Sequence, residues 1–181
     1  MGIVSIDQAH DHLNITQSST GDDAELVRFI DAASEAVEMY TGQVVSPRQV
    51  TERHTVPDSG LVLLRCCPVL SVVEAVPSGA VESVDVSGIV VDPAVGQLDV
   101  RAAGLGGDVE FTVMAGMPSP PQRYVAATLI IVAHLWQSQR VSTVGAAPSF
   151  GNDGLPALAG FGFALPNRAL ELLGGRAPNL P

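Results

Sequence analysis

The sequence predicts an α+β fold, with helices at the N-terminus and in the C-terminal half packed with an inserted antiparallel β-sheet or small barrel. Three observations carry this. Apolar residues recur at helical spacing between Leu26 and Tyr40, and again between Val125 and Trp136. Between these stretches the pattern changes to short β-branched runs broken by turn residues. The connections between the runs are too short for the helical crossovers that parallel strands need, so the pairing is expected to be antiparallel.

Ser5-Ile6-Asp7-Gln8 reads as a capping box that opens a short helix over about 6–13. Thr20-Gly21-Asp22 breaks the chain, and Asp22 with Glu25 repeats the start signal for a helix over about 23–41. Leu26, Ile30, Ala33, Val37 and Tyr40 form its apolar stripe, and Gly42 supplies the stop. Strands are expected at Arg48 to Val56, Leu61 to Arg65, Val69 to Val76, Val84 to Val91, Gln97 to Val100 and Asp108 to Met114. Pro57 to Gly60, Ser78-Gly79, Pro93 and Gly104 to Gly107 supply the turns between them. Pro118 to Pro121 opens a second long helix over about 120–140, because proline is tolerated in a first turn. Its stripe is Val125, Leu129, Val132 and Trp136, and Ile130 and Ile131 widen the apolar surface to most of the circumference. Such a helix is expected to be covered by the sheet, by the first long helix or by a neighbouring subunit.

Residues 1–140 thus read as one α+β domain. An arm follows over 141–165, with seven glycines or prolines between Gly145 and Gly162 interleaved with Phe150, Leu155, Leu158, Phe161 and Phe163. A plain flexible linker would be polar, and this one is not. Pro166 starts a short last helix, and residues 166–181 complete the chain as helix and tail.

Hydrophobic residues make up 46% of the 181, charged residues 15%, and mean hydropathy is +0.31, which excludes a disordered chain. Apolar residues in excess of one core end on the surface, where they mark contacts with other chains. The nine basic residues are all arginine and stand singly, against 19 carboxylates and a formal charge of -10. Gripping a phosphate backbone takes clustered cations, so tight nucleic-acid binding is not expected. The opening residues do not read as a signal peptide, since Asp7, His10 and Asp11 fall where its apolar stretch would be. The longest apolar run, Val125 to Trp136, is shorter than the ~20 residues of a membrane span. A soluble, reduced, cytoplasmic chain with no membrane partner is the expectation, with Cys66 and Cys67 as free thiols.

No catalytic constellation stands out. Asp7, His10, Asp11 and His12 have metal-ligating chemistry, but His10 and His12 are two apart on a helix and point to different faces. His54 and His134 lack ligand spacing, and Cys66-Cys67-Pro68 lacks a nucleophile context. Gly104-Leu105-Gly106-Gly107 precedes a strand and reads as a turn, not as a phosphate loop. Neither cofactor nor metal is expected, and the chain does not read as an enzyme. The first long helix carries Glu25, Arg28, Asp31, Glu35 and Glu38 off its apolar stripe. This face is either simply solvated, or it lines a passage or meets arginines of a neighbouring subunit.

Taken in order, the segments resemble the head-tail connector, or adaptor, family of long-tailed bacteriophages and prophages. The residues that carry the resemblance are Val4 to Ile15, then Asp22 to Leu26 running through Ala32 to Gly42. Pro68-Val69-Leu70-Ser71-Val72 follows, then Val109 to Gly116 and Pro120-Pro121 with the helix to Arg140. The closing Phe163 to Leu173 is similar as well. The long sheet region and the 141–165 arm depart from the helical-bundle picture of shorter relatives. The resemblance implies a virion protein: a ring of this chain, generally of twelve, docked between the portal protein and a stopper or tail protein. It would prolong the channel through which DNA passes without specific binding. In that setting Glu25, Arg28, Asp31, Glu35 and Glu38 are candidates for the lumen or an inter-subunit face. Phe150, Leu155, Leu158, Phe161, Phe163 and Arg168 are candidates for contacts with a neighbour or the portal. A stopper or tail-completion protein of the same neck is the nearest alternative. A small cytoplasmic α+β binding or enzymatic domain is the alternative of another class.

Overall fold

Ser5 begins the first helix, α1 (Ile6–Leu13), with both halves of the expected capping box. The Gln8 N–H donates to Ser5 Oγ at 3.2 Å and the Ser5 N–H donates to Gln8 Oε1 at 2.9 Å. Asn14 ends the helix in the left-handed conformation, which its short polar side chain tolerates. The computed structural model describes residues 2–15, 20–80, 82–143 and 165–174. These fall into two compact units, one of residues 1–40 and 121–181, the other of residues 41–120.

The first unit is helical. α2 (Thr20–Thr41) buries Leu26, Ile30, Ala33 and Val37 as its stripe predicts, whereas Tyr40 at the end of that stripe is 39% exposed. Ser34 sits in the same stripe and is satisfied twice: its hydroxyl donates to Ile30 O at 2.6 Å and accepts from the Ile3 N–H at 2.9 Å. α3 (Gln122–Thr143) buries Tyr124, Ala127, Thr128, Ile131, Val132 and Trp136. The expected stripe on α3 is therefore rotated, because Val125 and Leu129 are only half-buried. A helix apolar around most of its girth gives no sequence signal for which face turns inward. Phe29 of α2 meets Trp136 of α3 edge to face, with centroids 6.3 Å apart. α4 (Asn167–Leu172) follows Pro166, packs on α3 and buries Ala169.

The second unit holds two antiparallel three-stranded sheets, which are open and form no closed barrel among the described residues. One has the order β1 (Arg48–Val56), β6 (Gly107–Ala115), β3 (Val69–Pro77), and the other has β2 (Leu61–Leu63), β5 (Gln97–Asp99), β4 (Val90–Asp92). β6 is central in the first and alternates cleanly, with Val109, Phe111, Val113 and Ala115 fully buried. Val62, Leu64, Val69, Ala75, Leu98 and Val100 join them in one core. The predicted strand over Val84–Val91 shrinks to its last two residues, which begin β4. Asp85 explains the loss, since its carboxylate accepts from the Ser87 N–H at 2.9 Å and the Ser87 hydroxyl at 2.8 Å. Such local bonds draw the backbone away from a ladder. At the close of β6, Gly116 has φ +127, and a Cβ there would stand 2.6 Å from Pro47 Cα. Only glycine fits.

Candidate functional site

Of the surfaces singled out by sequence, the described residues, on α2 and at Arg168, belong to the helical unit. On α2, Arg28, Asp31 and Glu35 are exposed, while Glu25 and Glu38 are half-buried at the border of the apolar stripe. The five residues therefore do not form one solvated patch. The exposed row is instead Val27, Asp31, Glu35 and Met39, one residue every fourth position, with Val27 44% and Met39 85% exposed. The two apolar members of this row were invisible to a search for charge.

Arg168 is exposed on α4 and lines an open groove of about 800 Å³ with residues of α1 and α3. The groove has an apolar floor of Ala126, Leu129, Ile130 and Ala133 on α3, and Pro166 and Leu172 on the α4 side. His12, His134, Gln137, Arg168 and Glu171 form its polar margin. An apolar floor with a polar rim is the anatomy of a protein contact surface. Sequence pointed to Arg168 but not to the groove, which exists because α3 turns its second apolar side, the one its own unit leaves half-buried, toward α4. Phe150, Leu155, Leu158, Phe161 and Phe163 lie outside the described residues.

Two of the four histidines have structural roles. His10 is buried, and its Nε2 lies 2.9 Å from Asp23 Oδ1, tying α1 to α2. His54 Nε2 lies 2.8 Å from Glu52 Oε2 in the sheet unit. Among the described residues no group of three metal-capable side chains converges.

A heavily bonded polar group is Glu52, on the inward side of β1 with Val50 and Val56. Its carboxylate accepts from the Arg65 N–H at 2.9 Å and from the Cys66 N–H at 2.8 Å, besides the His54 ring. Burial alone would raise its pKa, but the donors at Arg65, His54 and Cys66 outweigh this and bring it down to about 2. The adjoining Cys66 thiol is pushed up to about 12 by burial and by the neighbouring Glu52 carboxylate. Both cysteines are free, and Cys66 is held as a thiol rather than a nucleophilic thiolate. Glu52 is a strut that fixes the turn after β2.

No helix among the described residues is long and apolar enough to cross a membrane. No protein-family model matches the chain, and no curated protein matches it in sequence. The fold, however, has close counterparts among solved structures. A chain in the virion of a native gene transfer agent particle superposes with a TM-score of 0.64 and 21% identity, covering 95% of this chain and 88% of that one. A chain in the neck of the empty particle, computed with C6 symmetry, gives 0.64 and 21% over 94% and 87%. A chain in the neck of the native particle, computed with C12 symmetry, gives 0.61 and 20% over 93% and 85%. At this identity the likeness establishes a shared fold, and it extends over nearly the whole of both chains.

Proposed function

We propose that this chain is a structural neck protein of a phage-like particle, a head-tail connector or adaptor subunit. It works as one member of a ring, of twelve copies, between the portal and the stopper or tail. The observation that carries the reading is the near full-length fold likeness to chains of a gene transfer agent neck computed with C12 symmetry. The family resemblance of the sequence points the same way. The physical character of the chain supports it: a charge of -10 with nine scattered arginines repels a DNA duplex instead of holding it, as a channel wall must. Among the described residues the helical unit carries an open groove with an apolar floor, and exposed Val27 and Met39, the kind of surface that another chain covers. Function on this reading is geometric and electrostatic, with no bond made or broken, and the site of action is the virion neck.

The test is reconstitution. Purified chain is mixed with the portal protein from the same gene cluster and imaged by negative stain and mass photometry. Twelve-fold rings seated on the portal are expected. A chain that stays monomeric and ignores the portal overturns the reading, and one that binds only an already assembled connector ring makes it a stopper.

A further inference from the structure

We propose that the groove on α3 and α4 is the seat for the outer ridge of α2 from a second copy of this chain. The ring then closes by one head-to-tail contact repeated at every subunit. This rests on the ring reading above and names the surfaces that build it.

The ridge is Val27, Asp31, Glu35 and Met39, an i, i+4 row that runs about 18 Å along the helix at 1.5 Å per residue. All four side chains are exposed, Met39 at 85%. Rows at this spacing are what one helix inserts between the rows of another. The groove's lining runs along α3 from Ala126 to Gln137, about 16 Å by the same rise and close to the length of the ridge, with its apolar floor over the Ala126 to Ala133 part. Ala126 and Ala133 leave room in the floor on either side of Ile130 for the larger ridge side chains.

Charge sets the direction. The ridge centre is acidic through Asp31 and Glu35, and the groove margin offers the Arg168 guanidinium, with the imidazoles of His12 and His134 as hydrogen-bonding groups. The one carboxylate on that margin, Glu171, has a counterpart in Arg28, exposed beside the ridge. Two ridges brought together would instead set four carboxylates against one another, so a symmetric pairing through α2 is disfavoured. A surface that fits a different surface of the same chain makes a heterologous contact. Such contacts close into rings when the rotation per subunit permits.

The experiment uses the full chain with its portal protein, and reads ring formation by mass photometry and negative stain. Arg168→Glu, Glu35→Arg and Met39→Glu all change exposed positions, and far-UV circular dichroism checks that each variant folds. Arg168→Glu or Glu35→Arg alone is expected to weaken ring assembly by roughly ten-fold, since like charges then face across the contact. Met39→Glu, which drives a charge at an apolar floor, is expected to weaken it further. Combining Arg168→Glu with Glu35→Arg restores most of the assembly, because every interface then receives the swapped pair. Single variants that assemble like the wild type overturn the inference while leaving the ring reading intact, as does failure of the double variant to recover. Intact rings that no longer bind the portal after Arg168→Glu assign the groove to the portal and overturn it too. A wild-type chain that never forms rings with the portal present sinks the ring reading itself, and this contact with it.

Discussion

Glu52 shows how one charged side chain can organise a turn that no repeating structure holds. Its two oxygens take the Arg65 and Cys66 N–H groups and the His54 ring, so a carboxylate facing inward from a strand is fully used. Hydrogen bonds to an ionised acceptor contribute roughly 1.5 to 3 kcal/mol, more than neutral ones. Glu52→Gln keeps the shape, loses the charge and offers a single acceptor oxygen to the two N–H groups. Chemical denaturation should find it less stable by about 2 kcal/mol. Glu52→Leu should cost more, because it removes the acceptor from both N–H groups and leaves the part-buried Cys66 donor without one. The acid side follows from the direction of the shift. The carboxyl titrates near 2 when folded and near 4.5 when free, so its contribution is complete above about 4.5 and is lost as pH falls toward 2. Wild-type stability measured from pH 6 down to 2.5 should therefore decline below about 4.5 more steeply than that of Glu52→Gln. Parallel curves for the two proteins would remove Glu52 from its assigned role.

At the scale of elements, what sequence revealed depended on whether the decisive contact was local. The capping box of α1 was readable because Ser5 and Gln8 are three residues apart, and both of its hydrogen bonds are present. Ser5→Ala should cost about 1 kcal/mol, read as a lowered Tm in thermal unfolding, whereas Ser5→Asp, which can still cap, should stay near wild type. Five of the six expected strands formed because β-branched runs with turn chemistry at both ends leave little choice. The sixth failed at Asp85, whose side chain competes for the backbone two residues on. Glu52 escaped notice because a carboxylate at an inward position signals solvent unless its donors, thirteen and fourteen residues away, are known. The candidate site divides in the same way. Asp31 and Glu35 stood out by charge and Arg168 through the family resemblance, while the groove depends on how α3 is rotated, which a helix apolar on nearly all sides does not disclose.

At the scale of the whole molecule, two electrostatic effects compete in the proposed ring. Each copy carries a net charge of -10, so twelve would gather about 120 negative charges, whose mutual repulsion opposes assembly. Against this stand a few charge pairs per contact, such as Arg168 with Asp31 or Glu35, each worth at most about 1 kcal/mol while exposed at a rim. Repulsion acts between many charges and over distances near the Debye length, about 10 Å at 0.1 M salt, so screening relieves it more than it weakens a few close pairs. The apolar part of the contact, Met39 and Val27 against the α3 floor, is not weakened by salt at all. Ring assembly should therefore strengthen as sodium chloride rises from about 50 to about 300 mM, the opposite of a contact held together mainly by ion pairs. Mass photometry across that series decides the matter. Assembly that falls with salt would mean that the pairs, and not the apolar ridge and floor, hold the copies together.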